Sequence, residues 1–176
     1  LFLREVIRLC PGNEVAWQSL AKMSSDPIVQ KKHKKDMLAI LNNLFTTFAN
    51  FPDFTLTVFE DLIQFETEAK QHISMWQRLV TMYEAAGRPD LACEARLKLS
   101  DLLVENANET EAIQGLAFTI TRFPEEGRYV PRMLDKLETI CAEVEGAEEQ
   151  LVNFYHSFLP KIPKKRGSRP SKYCIQ

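Results

Sequence analysis

Apolar residues recur three and four positions apart along almost the whole chain, and runs of alternating apolar and polar residues flanked by hairpin turns are nearly absent. A spacing near 3.6 gathers the apolar set on one face of a helix, whereas a strand needs a period of two. The pattern therefore predicts an all-α protein. Its breaks fall at residues that start or stop helices. Leu3, Val6, Ile7 and Leu9 form a first stripe that ends at Pro11 and Gly12, and Asn13 stands ready to cap a second helix bearing Val15, Trp17, Leu20 and Met23. Ser24 to Pro27 closes that helix and opens a third, expected to run to about Ala49. Phe51-Pro52-Asp53 makes the next break and leads into a fourth helix with Val58, Phe59, Leu62 and Ile63 inward.

A fifth helix is expected from Ile73 to Ala86, with Trp76, Leu79, Val80 and Tyr83 on one face and Gly87 after it, free to take a positive φ. Pro89 opens a sixth, Ala112 to Ile120 mark a seventh ending at Phe123-Pro124, Val130 to Cys141 an eighth, and Leu151 to Leu159 a ninth beyond Gly146. The links are short. Short links make successive helices antiparallel neighbours, as stacked helical hairpins or a compact bundle.

The longest stretch without a charge, Met37 to Pro52, is shorter than a membrane span and is interrupted by Asn42, Asn43, Thr46 and Thr47, so no membrane contact is expected. A net charge of −2 hides an asymmetry. All 24 acidic residues lie within residues 1–159, whereas residues 160–176 hold six Lys/Arg and no acid. The chain thus divides into an acidic helical domain, 1–159, read as a fragment of a longer protein because it begins inside a structural unit, and a basic, proline-containing tail or linker, 160–176. Cys10, Cys93, Cys141 and Cys174 are far apart, with no C-x-x-C pair and no histidine at ligand spacing. Neither a zinc site nor a dense disulfide framework is indicated, and a reducing compartment, nucleus or cytoplasm, is expected; between the two, the nucleus is placed slightly ahead of the cytoplasm.

Two stretches resemble the tetratricopeptide repeat, a helical hairpin of about 34 residues. Pro11 followed by Ala16-Trp17-x-x-Leu20-Ala21 stands at the family spacing, and so do Trp76, Leu79, Tyr83, Gly87 and Ala92. Val80 replaces the usual small residue, Arg96 stands where the family has an aromatic, Leu99 where it has alanine, and Val104 where proline closes the repeat. The related half-a-TPR repeat of RNA-processing scaffolds fits through Trp17 and Leu62-Ile63-Gln64-Phe65-Glu66. The two tryptophans are not separated by a multiple of the repeat length, which implies a longer hairpin between them. The resemblance implies an α-solenoid and a habit of binding peptides or protein surfaces. It implies no chemistry.

Catalytic constellations are not found. His33, His72 and His156 have no Ser or Cys nucleophile motif beside them, the glycines are isolated, and the glutamates follow solvated helix faces, so neither enzymatic activity nor a cofactor is expected. The first reading is a non-enzymatic scaffold that holds another protein or peptide. Because the first helices of the hairpins line the binding wall in the family, the resemblance nominates Gln18, Lys22, Gln77, Arg78, Thr81 and Met82 as partner contacts. The second reading, from a different class, is a nucleic-acid-associated protein that uses Lys31, Lys32, Lys34 and Lys35 together with Lys164, Lys165 and Arg166 of the tail. For the lysine cluster a solvated face is the plainer account, and the tail also fits an import signal or a linker. Phe45, Phe48, Phe51, Phe54, Phe59 and Phe65 are assigned to the core, each buried Phe contributing roughly 1.5–3 kcal/mol. Apolar surface at the ends of a repeat array leaves dimerisation open.

Overall fold

Prolines, asparagines and glycines set the helix ends in the computed structural model, which describes residues 2–24, 26–47 and 52–162. Its α-helices are α1 (Phe2–Leu9), α2 (Glu14–Ser24), α3 (Pro27–Thr47), α4 (Pro52–Ile63), α5 (Ala69–Ala85), α6 (Pro89–Glu105), α7 (Glu109–Arg122), α8 (Val130–Glu143) and α9 (Glu148–Phe158), with a 3₁₀ turn at Leu159–Lys161. The protein is all-α, and no strand occurs among the described residues. Asn13 caps α2 as expected: its Oδ1 accepts from the Ala16 N–H at 2.9 Å. Asp26 does the same for α3, accepting from the Ile28 N–H at 2.8 Å. Gly87 and Gly146 take φ of +67° and +79°, the left-handed conformation that ends α5 and precedes α9.

Three helices begin earlier than their apolar stripes. α5 starts at Ala69, α7 at Glu109 and α9 at Glu148, because polar first turns carry no hydrophobic signal, although the acids in the first turns of α7 and α9 suit the helix dipole. α3 is not continuous. Its backbone leaves helical geometry at His33 (φ −122°, ψ 17°), in the middle of the lysine cluster.

The helices pack in two layers and in chain order. Each hairpin partner touches the next, while α2 lies against α4, α4 against α6 and α6 against α8 in one layer, and α3 against α5 in the other. Side-chain hydrogen bonds run between neighbouring hairpins as rungs with a near-constant reach. Lys34 bonds Thr67, Arg78 bonds Asn42, Arg88 bonds Asp53, Lys98 bonds Glu60, Gln77 bonds Glu111 and Tyr129 bonds Glu94, at separations of 33, 36, 35, 38, 34 and 35 residues. A stacked array of similar hairpins gives that constancy, since each contact joins positions about one unit apart. Trp17 on α2 and Trp76 on α5 belong to opposite layers. Their spacing is therefore no repeat period, although the α3–α4 hairpin between them is indeed longer than a repeat of about 34 residues: α3 alone has 21 residues.

One core runs between the layers, and its register repeats. Met37, Ile40, Leu41 and Leu44 of α3 correspond in spacing to Trp76, Leu79, Val80 and Tyr83 of α5, and Thr55, Leu56, Val58 and Leu62 of α4 to Ala92, Cys93, Ala95 and Leu99 of α6; all are buried. Phe59 and Phe65 lie in this core. Phe45 is only half-buried, Phe48 and Phe51 fall outside the described residues, and only the backbone of Phe54 is described.

Candidate functional site

The exposed face of α5 follows from its register. With Trp76, Leu79, Val80 and Tyr83 turned into the core, Ser74, Gln77, Arg78, Thr81 and Ala85 must face away from it. Beside α3 these residues line a groove of about 450 Å³, floored by Phe45 and Met82. Four of the nominated contacts, Gln77, Arg78, Thr81 and Met82, thus come together in one concavity. Gln18 and Lys22 do not join them: both lie on α2, which packs on α1, α3 and α4, and Gln18 donates to Glu14 Oε1 on its own helix at 2.8 Å. Taking Trp17 and Trp76 as equivalent had placed them in one wall; α2 belongs to the other layer. Phe45 is the groove residue that the core assignment overlooked, because a helix position beside the apolar stripe serves packing and surface alike.

Arg78 sits over the Phe45 ring, its guanidinium carbon 4.3 Å from the ring centroid, and donates to Asn42 Oδ1 at 3.3 Å. This is a cation held against a π face, which keeps the guanidinium in place while its edge stays open. Gln77 donates to Glu111 Oε1, and the Thr81 hydroxyl donates to the Gln77 carbonyl at 3.0 Å. Next along the layer, Glu84 lies 3.4 Å from Arg122 Nη1 and 3.9 Å from Arg96 Nη2. Arg96 Nε donates to the buried Thr119 hydroxyl at 3.0 Å, and burial holds the guanidinium below its usual pKa, opposed by Glu84. Gly115 makes room for it, since a Cβ there would meet Arg96 Nη1 at 2.9 Å. The departure of Arg96 from the repeat pattern was the sequence sign of this ionic contact.

A second concavity of about 350 Å³ lies between α4, α5 and α6, lined by Glu60, His72, Trp76, Lys98, Asp101 and Glu105 among others. Burial lowers the His72 pKa, against the pull of Glu66 and Glu105. Most of its charges are spent internally: Lys98 pairs with Glu60, and Lys136 reaches Asp101 at 2.5 Å.

The lysine cluster is less concerted than its sequence suggests. Lys32 and Lys35 are exposed, Lys34 is half-buried and donates to Thr67 Oγ1 at 2.8 Å, and the position of the Lys31 side chain is not described. Lys164, Lys165 and Arg166 lie outside the described residues. Among the described residues no helix is long and apolar enough to cross a membrane. Comparison with protein-family models, with curated proteins and with solved structures finds no match to this chain.

Proposed function

We propose that the protein is a non-enzymatic interaction scaffold, a tetratricopeptide-like helical array that holds a peptide segment of another protein in the α3–α5 groove. The observation that carries this reading is the convergence of Gln77, Arg78, Thr81 and Met82, with Phe45, on one groove of about 450 Å³. An apolar floor with hydrogen-bonding walls is the composition that recognises an extended peptide, whose backbone needs polar partners and whose side chains need pockets. Free thiols at Cys93 and Cys141, buried in the core, accord with a reducing compartment. The test places a photo-crosslinking amino acid at Ser74 and, as control, at Gln150 on α9. Discrete protein adducts formed from position 74 alone, unchanged by nuclease, support the scaffold. Adducts that vanish with nuclease, or equal labelling from both positions, overturn it.

A further inference from the structure

Among the described arginines, Arg8, Arg88, Arg96 and Arg122 each face a carboxylate of the chain, whereas Arg78, Arg128 and Arg132 do not. Of those three Arg78 lines the α3–α5 groove, and Arg128 and Arg132 do not. On its own face Glu84 pairs with Arg96 and Arg122, while Glu111 accepts from the neutral amide of Gln77 and keeps its charge, and neither carboxylate forms an ion pair with Arg78. Its one side-chain acceptor is a neutral amide oxygen, Asn42 Oδ1. A guanidinium presents five donors in a planar fork matched to a carboxylate, and stacking on Phe45 holds the fork without consuming it. In a body that holds all 24 acids of the chain, an arginine that pairs with none of them and lies in a concave site is placed to meet an anion from outside.

The rest of the surface says what the anion is attached to. Met82 and Phe45 form an apolar floor, and on α7 Phe118, 54% exposed, takes the register place that Thr81 has on α5. The acidic body repels a polyphosphate backbone more than a segment with one or two carboxylates. We infer that the occupant of the groove is a protein segment that pairs an Asp or Glu with a nearby bulky apolar side chain, the carboxylate meeting Arg78 and the apolar group resting on Phe45 and Met82. This rests on the peptide-groove reading above and specifies its ligand.

The experiment displays random twelve-residue peptides to the full chain, selects in parallel against Arg78→Glu and Thr81→Trp, and measures the best peptide and its Asn/Gln analogue by fluorescence anisotropy. The expected wild-type pool is enriched in Asp or Glu beside Phe, Leu or Met. The amide analogue should bind at least tenfold more weakly, Arg78→Glu should lose the acidic preference, and Arg78→Lys should keep part of it. A pool that Thr81→Trp excludes but that shows no acidic enrichment overturns this inference and leaves the groove intact. A pool retained equally by Thr81→Trp removes the groove reading and the inference with it. Retention of a dT20 oligonucleotide through Arg78 at 150 mM salt, in preference to the peptides, replaces the protein ligand by nucleic acid.

Discussion

The hairpins α3–α4 and α5–α6 share one packing register and fill it with opposite chemistry. Where the first has Leu44, Phe45, Leu56 and Phe59, the second has Tyr83, Glu84, Cys93 and Arg96 at the corresponding positions. In the first, Phe45 meets Phe59 edge to face at 5.6 Å, and Phe59 meets Trp76 at 4.8 Å. In the second, Glu84 faces Arg96, with Thr119 and Arg122 completing the contact from α7. An aromatic seam loses stability in proportion to what is removed, whereas an ionic seam fails when either member is left alone. The arrangement of helices thus constrains volume and position, and the chain chooses the chemistry.

The aromatic seam should be the costlier to break. Phe59 is fully buried, so Phe59→Ala is expected to lower unfolding free energy by about 3–5 kcal/mol, measured by urea denaturation. A loss under ~1 kcal/mol would mean that the two hairpins do not share the core described.

The ionic seam comes next. Glu84→Ala leaves the Arg96 guanidinium without its carboxylate; with side chains 12% and 16% exposed, the cost is about 2–3 kcal/mol, below that of a fully sequestered pair. Glu84→Phe together with Arg96→Phe rebuilds the pair that α3–α4 already uses, and should return within ~1 kcal/mol of the wild type. If the double variant is as unstable as the summed singles, the register equivalence is wrong.

Titration separates the hairpins further. Burial pushes the Cys93 thiol up to about 12 from an ordinary value of 9.0, aided by Glu126, and raises Tyr83 as well. The folded state therefore keeps a proton that the unfolded chain releases, so this contribution is whole below pH 9 and fades as pH rises toward 12. Stability should fall by roughly 1 kcal/mol per pH unit above pH 9. Cys93→Val, closer to the Leu56 of the other hairpin, should flatten the fall between pH 9 and 10.5. An unchanged slope would show that Cys93 is not the group responsible.

Helix number and most boundaries were legible in the sequence because caps and stops are local: Asn13, Pro27, Gly87 and Pro89 act within one turn of themselves. Helix starts with polar first turns, such as Ala69 to His72, were not, since nothing apolar marks them. The site was half legible. Gln77, Arg78, Thr81 and Met82 share one helix face, and periodicity suffices to group them; whether Gln18 and Lys22 face the same way depends on which layer α2 joins, a non-local fact. The rungs that reveal the repeat, Gln77 to Glu111 or Tyr129 to Glu94, are marked by no apolar pattern: Gln77, Glu111 and Glu94 are exposed or half-exposed, and the buried Tyr129 stands just before the stripe of α8.

Gly115 gives the smallest and most discriminating effect. Alanine in a helix is favoured over glycine by up to ~1 kcal/mol, and Gly115 lies inside α7, so the substitution alone should stabilise. Against that, its Cβ would come within 2.9 Å of Arg96 Nη1, the end of a long side chain held by Thr119 and Glu84. The two effects oppose, and Gly115→Ala should be near neutral in the wild type, within about 0.5 kcal/mol, while gaining ~0.5–1 kcal/mol in an Arg96→Ala background. Thermal unfolding of the four proteins measures the coupling directly. Equal effects of Gly115→Ala in both backgrounds would show that the glycine is not there to admit the arginine, and would leave the exchange of an aromatic for an ionic seam without its compensating change on α7.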